Sequence, residues 1–221
     1  MWIQNWYNAI GLVGVVSWIV IVIGSVVMHE LSHGVAAIKR GDRTPIETGH
    51  MTWNPLVHMG QMGLIMFVVF GIAFGAMPVN PSRFKGRHAE AFVAAAGPAM
   101  NLLLAGISIV LASVVLVSAK QIGDPLAPNL FMFFHLGVVL NIALAMFNML
   151  PVPPLDGSRI LGDFVPSYER LWQGPSAQWL ALGLFVLLFF FAGEIIFGSG
   201  AFVADRGINT VVGWLGGPPQ P

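Results

Sequence analysis

The sequence predicts an all-α polytopic membrane protein, a bundle of about five to six transmembrane or re-entrant helices with a short extended loop segment. Two observations carry this expectation. Hydrophobic residues make up 56% of the 221 and charged residues 9%, with a mean hydropathy of +0.78, more apolar surface than a water-soluble domain can bury. The apolar residues also fall into runs of membrane-crossing length, and a span needs roughly 20 residues to cross a hydrocarbon core of roughly 30 Å. A chain of this size makes a single membrane-embedded domain, residues 1–221.

Interruptions by Gly, Pro and charge place the spans at about residues 10–37, 62–78, 90–118, 129–150 and 178–197, leaving 198–221 as an interfacial tail. Met1 to Asn8 lack the positive n-region of a cleavable signal, so the first run reads as a mature span. Ile208 to Leu215 is too short to cross a bilayer.

Positive charge orients the bundle, because cytoplasmic loops hold the excess of Lys and Arg. Lys39, Arg40 and Arg43 put the end of the first span inside, and Arg83, Lys85 and Arg87 put the start of the third span inside as well. Together they conflict with a full crossing by 62–78, which is short and contains Gly63, Gly71 and Gly75, so a re-entrant or hairpin element covered by protein is expected there, with a misplaced loop as the alternative. Arg159 and Arg170 then also fall inside, and only Lys120 and Arg206 fall outside. The expected location is the cytoplasmic membrane.

Composition removes other classes. Net charge is zero and no basic run stands out, so the chain has no electrostatic footprint for nucleic acid. Cysteine is absent, which leaves His, Asp and Glu as the possible metal ligands.

Such ligands occur in His29-Glu30-Leu31-Ser32-His33, near the end of the first span. Histidines four apart on a helix project from one face about a turn apart and can grip one zinc ion, while Glu30 between them can serve as general base. Three ionisable groups in an apolar span are costly and usually mark function; the bland alternative is a pair of interfacial anchors. Catalytic zinc takes a third protein ligand, and Asp156 is the candidate. It follows three prolines that stop the preceding helix on the cytoplasmic side, where the first span also ends. Gly157 suggests a tight turn beside it, and an ordinary Asp-Gly turn remains the local alternative.

Taken in order, several strings resemble the site-2 proteases, intramembrane zinc metalloproteases that cut transmembrane or membrane-proximal segments. They are His29 to His33, Asn54-Pro55-Leu56-Val57-His58, Pro78-Val79-Asn80-Pro81, Ala96-Gly97-Pro98-Ala99-Met100-Asn101, and Asn148 to Gly157. The chain looks like the compact branch of the family that lacks a PDZ domain and carries its metal motif in the first span. The resemblance implies one zinc per chain on His29, His33 and Asp156 near the cytoplasmic face, Glu30 as the catalytic base, and Asn148 and Asn101 as substrate-binding residues. For Asn101 a helix–helix hydrogen bond is an equal alternative.

Other polar positions have plainer readings. His50 and His58 are expected as solvated loop histidines, and His135 and Asn141 as interhelical hydrogen-bonding groups. Ala94-Ala95-Ala96-Gly97 reads as a close-packing stripe. An extended segment within 44–60 is expected to pair with an unwound substrate by strand addition.

The function expected is that of an intramembrane zinc endopeptidase acting on membrane-protein substrates in the lipid bilayer. The alternative is a noncatalytic scaffold of the same fold within a larger membrane assembly. A transporter is a distant third, because it would show repeated halves and ionisable groups at mid-depth on several spans.

Overall fold

The computed structural model describes residues 2–71, 73–172 and 174–217 and holds helices and no strand among them. In chain order the helices are α1 (Trp2–Lys39), a single turn α2 (Thr44–Glu47), α3 (Pro55–Phe70), α4 (Ala89–Val117), a second single turn α5 (Ala119–Ile122) and α6 (Leu126–Asn148). Then follow α7 (Asp156–Phe164), α8 (Pro166–Leu171), α9 (Pro175–Phe191) and α10 (Gly193–Trp214). Three stretches, Tyr7–Lys39, Ala89–Val117 and Leu126–Asn148, are long and apolar enough to cross a membrane, and α9 and α10, meeting at a 52° bend, make a fourth as a pair. The all-α polytopic class is therefore the one observed.

Helix α4 is the centre of the bundle, packing on α1, α6, α7 and α10. Trp18, Val22 and Val26 of α1, four residues apart and so on one face, bury against Met59 and Phe67 of α3 and Leu140 of α6. Trp18 stacks on Phe67 with ring centroids 5.3 Å apart. A second cluster joins Ala105 and Ala112 of α4, Val138 of α6, and Ala204, Ile208 and Val212 of α10. The outward faces keep their large apolar side chains exposed, among them Leu12, Val16 and Val20 of α1 and Trp179, Phe190 and Phe191 of α9. A surface of that kind belongs in lipid.

Three sequence expectations change. The 62–78 run is not one element: helix α3 begins at Pro55, capped by Asn54, and ends at Gly71, whose left-handed φ of 75° a side chain would resist. Residues 73–80 then carry no helix. Segment 44–60 forms no strand: Pro45 and Pro55 each start a helix at its first turn, and residues 48–54 between them are turns, bends or irregular chain. The non-helical stretch near the site is 73–80 instead. Residues 198–214, expected in an interfacial tail, continue α10, whose Gly200 and Ala204 let it lie close along α6; the end of that expected tail, 218–221, lies outside the described residues.

The route of residues 55–85 is fixed by ties to the end of α1. The Asn80 N–H donates to Asp42 Oδ2 at 2.7 Å, and the Lys85 N–H donates to the Arg40 carbonyl at 2.7 Å. The stretch thus returns to the end of α1 from which the chain leaves toward α3. Asp42 is fully buried, and it also accepts from the backbone and hydroxyl of Thr44. Burial pushes its carboxyl up, but the Asn80 and Thr44 donors and the nearby Arg83 guanidinium outweigh that and hold it below the usual carboxylate range.

Two outcomes test this packing. A Cβ at Gly200 would meet the Val139 carbonyl oxygen at 2.7 Å, whereas Gly198 has open space. Gly200→Ala should cost about 1–3 kcal/mol in denaturant unfolding and Gly198→Ala should not. A carboxyl held low in the folded state contributes stability above its unfolded pKa of about 3.9 and loses it as pH falls through the folded value. Protease protection of the 73–85 stretch should therefore be full at neutral pH and fall in acid, and Asp42→Asn should be equally weak at both.

Candidate metal centre

Helix α1 presents His29 and His33 one turn apart, and both are buried. Each imidazole is tethered at Nδ1: His29 to Asn101 Oδ1 at 2.7 Å, and His33 to the Val93 carbonyl at 2.8 Å. Both partners are acceptors, so each Nδ1 carries the proton and each Nε2 is left as a lone pair. The two Nε2 atoms stand 3.0 Å apart. Asp156 is the first residue of α7, and its Oδ2 lies 3.1 Å from His29 Nε2 and 3.4 Å from His33 Nε2. That oxygen is buried with no hydrogen-bond donor.

With both imidazoles neutral, three lone-pair atoms face one another, an arrangement that could hold a cation. Ligands about 2.0–2.1 Å from a tetrahedral zinc are separated by about 3.3 Å, which matches these spacings. The donor set therefore fits a metal ion, and His29, His33 and Asp156 are the one such grouping among the described residues.

The backbone around the centre is shaped to permit it. A Cβ on Gly97 of α4 would sit 2.5 Å from both His29 and His33, so glycine there lets α4 bring Asn101 and Val93 to the imidazoles. The small-residue stripe is thus a packing device, as expected, and what it packs against is the ligand pair. Gly157 serves differently from expectation. It lies within α7 rather than in a tight turn, and a Cβ on it would overlap the Met149 carbonyl, so its role is to let α7 start against the end of α6.

Glu30 makes no hydrogen bond or ion pair among the described residues and lines the same cavity of about 600 Å³ as the three candidate ligands. Gly75, in the non-helical stretch, lies against it: a Cβ there would be 2.8 Å from Glu30 Oε1. Asn148 also lines the cavity. Its Nδ2 donates to the Leu144 carbonyl at 2.9 Å, which leaves its oxygen without a partner among the described residues.

Asn101 shows the second of its two expected readings, a helix–helix hydrogen bond, and departs only in that its partners include His29. It is wholly buried, its oxygen accepts from His29, and its Nδ2 donates to Asn141 Oδ1 at 3.0 Å. It orients a candidate ligand, and Asn141 orients it in turn. His58 departs too: it is 3% exposed, not solvated, and its Nε2 lies 2.7 Å from the Thr52 carbonyl. His50 is half-buried and bonds Thr48, while His135 pairs with Asp205 at 3.1 Å between α6 and α10. Sequence reasoning missed Gly75 and Gly97 as neighbours of the site; the Gly97-Pro98 pair inside an apolar run was the available signal.

The model of peptidase family M50 matches residues 17–126 and 114–192. The chain belongs to peptidase family M50, the site-2 protease family. Relatives bearing the name "Putative zinc metalloprotease" include YwhC of Bacillus subtilis, 38% identical over 154 residues that cover 69% of this chain and 70% of that protein. Another is Rip2 of Mycolicibacterium smegmatis, 28% identical over 189 residues that cover 82% of this chain and 68% of that one. No solved structure matches the chain. The M50 assignment agrees with a chain that carries apolar helices and a metal-competent His-His-Asp centre.

Loss of the Asn101 tether should leave His29 free to rotate. Asn101→Ala should lower zinc affinity about 10- to 100-fold in a chelator competition, the usual cost of removing such a partner. Gly97→Ala, which pushes α4 off both imidazoles, should lower it at least as much.

Proposed function

We propose that this M50 protein is an intramembrane zinc endopeptidase that hydrolyses peptide bonds in transmembrane or membrane-proximal segments of membrane proteins. One zinc per chain is held by His29, His33 and Asp156. The observation that carries the reading is the convergence of three candidate ligand atoms on a cavity that also holds Glu30, beside His29 on α1 and without a hydrogen-bond or ion-pair partner among the described residues.

Zinc, when bound, polarises the scissile carbonyl and lowers the pKa of a water from about 15.7 to about 7. Glu30 takes the proton from the attacking water as its oxygen bonds to the carbonyl carbon. The same carboxyl then gives that proton to the amide nitrogen as the C–N bond breaks. Asn101 and the Val93 carbonyl keep both imidazoles turned with Nε2 toward the centre throughout.

A helical substrate cannot present its carbonyls, which are already hydrogen-bonded, so it must unwind. The stretch 73–79 is suited to receive it, because among the described residues its backbone donates one internal hydrogen bond, Ala76 N–H to the His58 carbonyl at 2.9 Å. Strand addition would occur here, beside Glu30, rather than at 44–60. The free oxygen of Asn148 would accept from a substrate N–H on the opposite side. The cavity walls between them are largely apolar, with Val22, Val26, Leu140, Phe147 and Phe185 among them, and would exclude bulk water.

Orientation follows from charge. Lys39 lies six residues beyond His33, and the loop that carries Arg83, Lys85 and Arg87 is tied to the Arg40 carbonyl through the Lys85 N–H, which supports a centre nearer the cytoplasmic face of the cytoplasmic membrane.

The test is cleavage of a model transmembrane peptide by the purified protein. Glu30→Gln should keep its zinc and lose activity by about 10²- to 10⁴-fold, the usual contribution of a positioned acid–base group. Chelation should abolish cleavage and added zinc restore it. Undiminished turnover by Glu30→Gln would remove the mechanism.

A further inference from the structure

Among the described residues lining the cavity, two charged side chains are left unused by the hydrolytic chemistry, Arg159 and Glu90. Arg159 follows Asp156 by three residues on α7, so the two side chains lie on one side of that helix, about one turn apart. Both line the cavity, and Arg159 is the one Lys or Arg among the described lining residues. Its charge is permanent, and its planar fork of donors matches a carboxylate.

Its own neighbours do not satisfy it. The natural partner on the same helix is Asp163, four residues on, but Asp163 is taken by His88 of the turn before α4, with Nδ1 to Oδ2 at 2.9 Å. Glu90 of α4 faces the same cavity and feels the charge of Arg159, yet no hydrogen bond or ion pair joins them. The guanidinium is left exposed at the cavity wall one turn from a candidate metal ligand. The remaining titratable groups facing the cavity are His29, Glu30, His33 and Asp156, all assigned to the centre.

We infer that Arg159 is a specificity-determining residue that binds a carboxylate side chain of the substrate, an Asp or Glu near the scissile bond. An extended peptide advances about 3.3 Å per residue, so a group one helical turn from the centre corresponds to roughly one to three residues from the cut. Glu90 acts against it, as a fixed carboxylate competing for the same guanidinium. This rests on the proteolytic reading above.

The experiment uses the full-length protein and amidated membrane-segment peptides, which carry no terminal carboxylate. The peptides differ only in Asp or Asn at each of the three positions on either side of the cut. At one position the wild-type protein should show a KM for the Asn peptide about 10- to 100-fold above that for its Asp counterpart, as charge-assisted hydrogen bonds of about 1.5–3 kcal/mol imply. Arg159→Gln should bring that ratio near one with zinc content retained, and Glu90→Gln should raise it. A free terminal carboxylate in place of the internal Asp should not reproduce the effect. Dissociation constants of the same peptides with the zinc-loaded Glu30→Gln protein should give the same ratio without turnover. A wild-type ratio near one at every position, a ratio that survives Arg159→Gln, or equal capture of a terminal carboxylate overturns the assignment. Absence of cleavage with the binding ratio intact counts against the protease alone.

Discussion

The structure depends on a proton placement. Because His29 and His33 each spend their Nδ1 proton on a fixed acceptor, both Nε2 lone pairs are turned to the same point, and the Asp156 carboxylate completes the set. Packed lone pairs repel, and a metal ion held between them would relieve that repulsion. Much of the bundle can be read as the means of holding it: α4 supplies both acceptors, α6 supplies the Asn141 that holds Asn101, and the break after α6 delivers Asp156. Burying the two imidazoles, Asn101 and Asn141 among apolar helices is tolerable because each is hydrogen-bonded to a neighbour.

Close approach is the second requirement, and it is met by absent side chains. Gly97 brings α4 onto the imidazoles, Gly75 brings the re-entrant stretch onto Glu30, and Gly157 brings the start of α7 onto the end of α6. In lipid, helices gain little from hydrophobic exclusion against one another, so backbone proximity and hydrogen bonds carry more of the association. The same small residues that allow the helices to pack therefore also set the distances in the candidate centre.

Rigidity and openness are divided between two sides of the cavity. Helices α1, α4 and α6 form the tethered wall with the candidate ligands, while residues 73–80 form a wall whose backbone is mostly unspent. Asp42 anchors the far end of that open wall through Asn80, which ties its position to the turn after α1. The proposed hydrolysis of an unwound peptide would need this combination, a centre that does not move and backbone groups for the peptide to meet.

The class and the three candidate ligands were legible in the sequence, because apolar runs, a four-residue His spacing and a proline-ended helix are local patterns with direct physical meaning. Charge asymmetry alone implied a re-entrant element, and the ties of Asn80 and Lys85 to the end of α1 fit it. The helix ends inside 44–80 and the continuation of α10 were less legible, since apolarity without a clear period does not separate a crossing helix from a turn-back. The tether from Asn101 to His29, the burial of His58 and the lack of a partner for Arg159 among the described residues were not legible at all. Each depends on a partner 6 to 75 positions away or on its capture by another group: His29 for Asn101, Thr52 for His58, and His88 drawing Asp163 from Arg159. Sequence alone determined which residues can bind a metal in a membrane helix, since that follows from residue chemistry and spacing. Tertiary structure alone decided which way each ring faces, because a tautomer is set by the group that meets its other nitrogen.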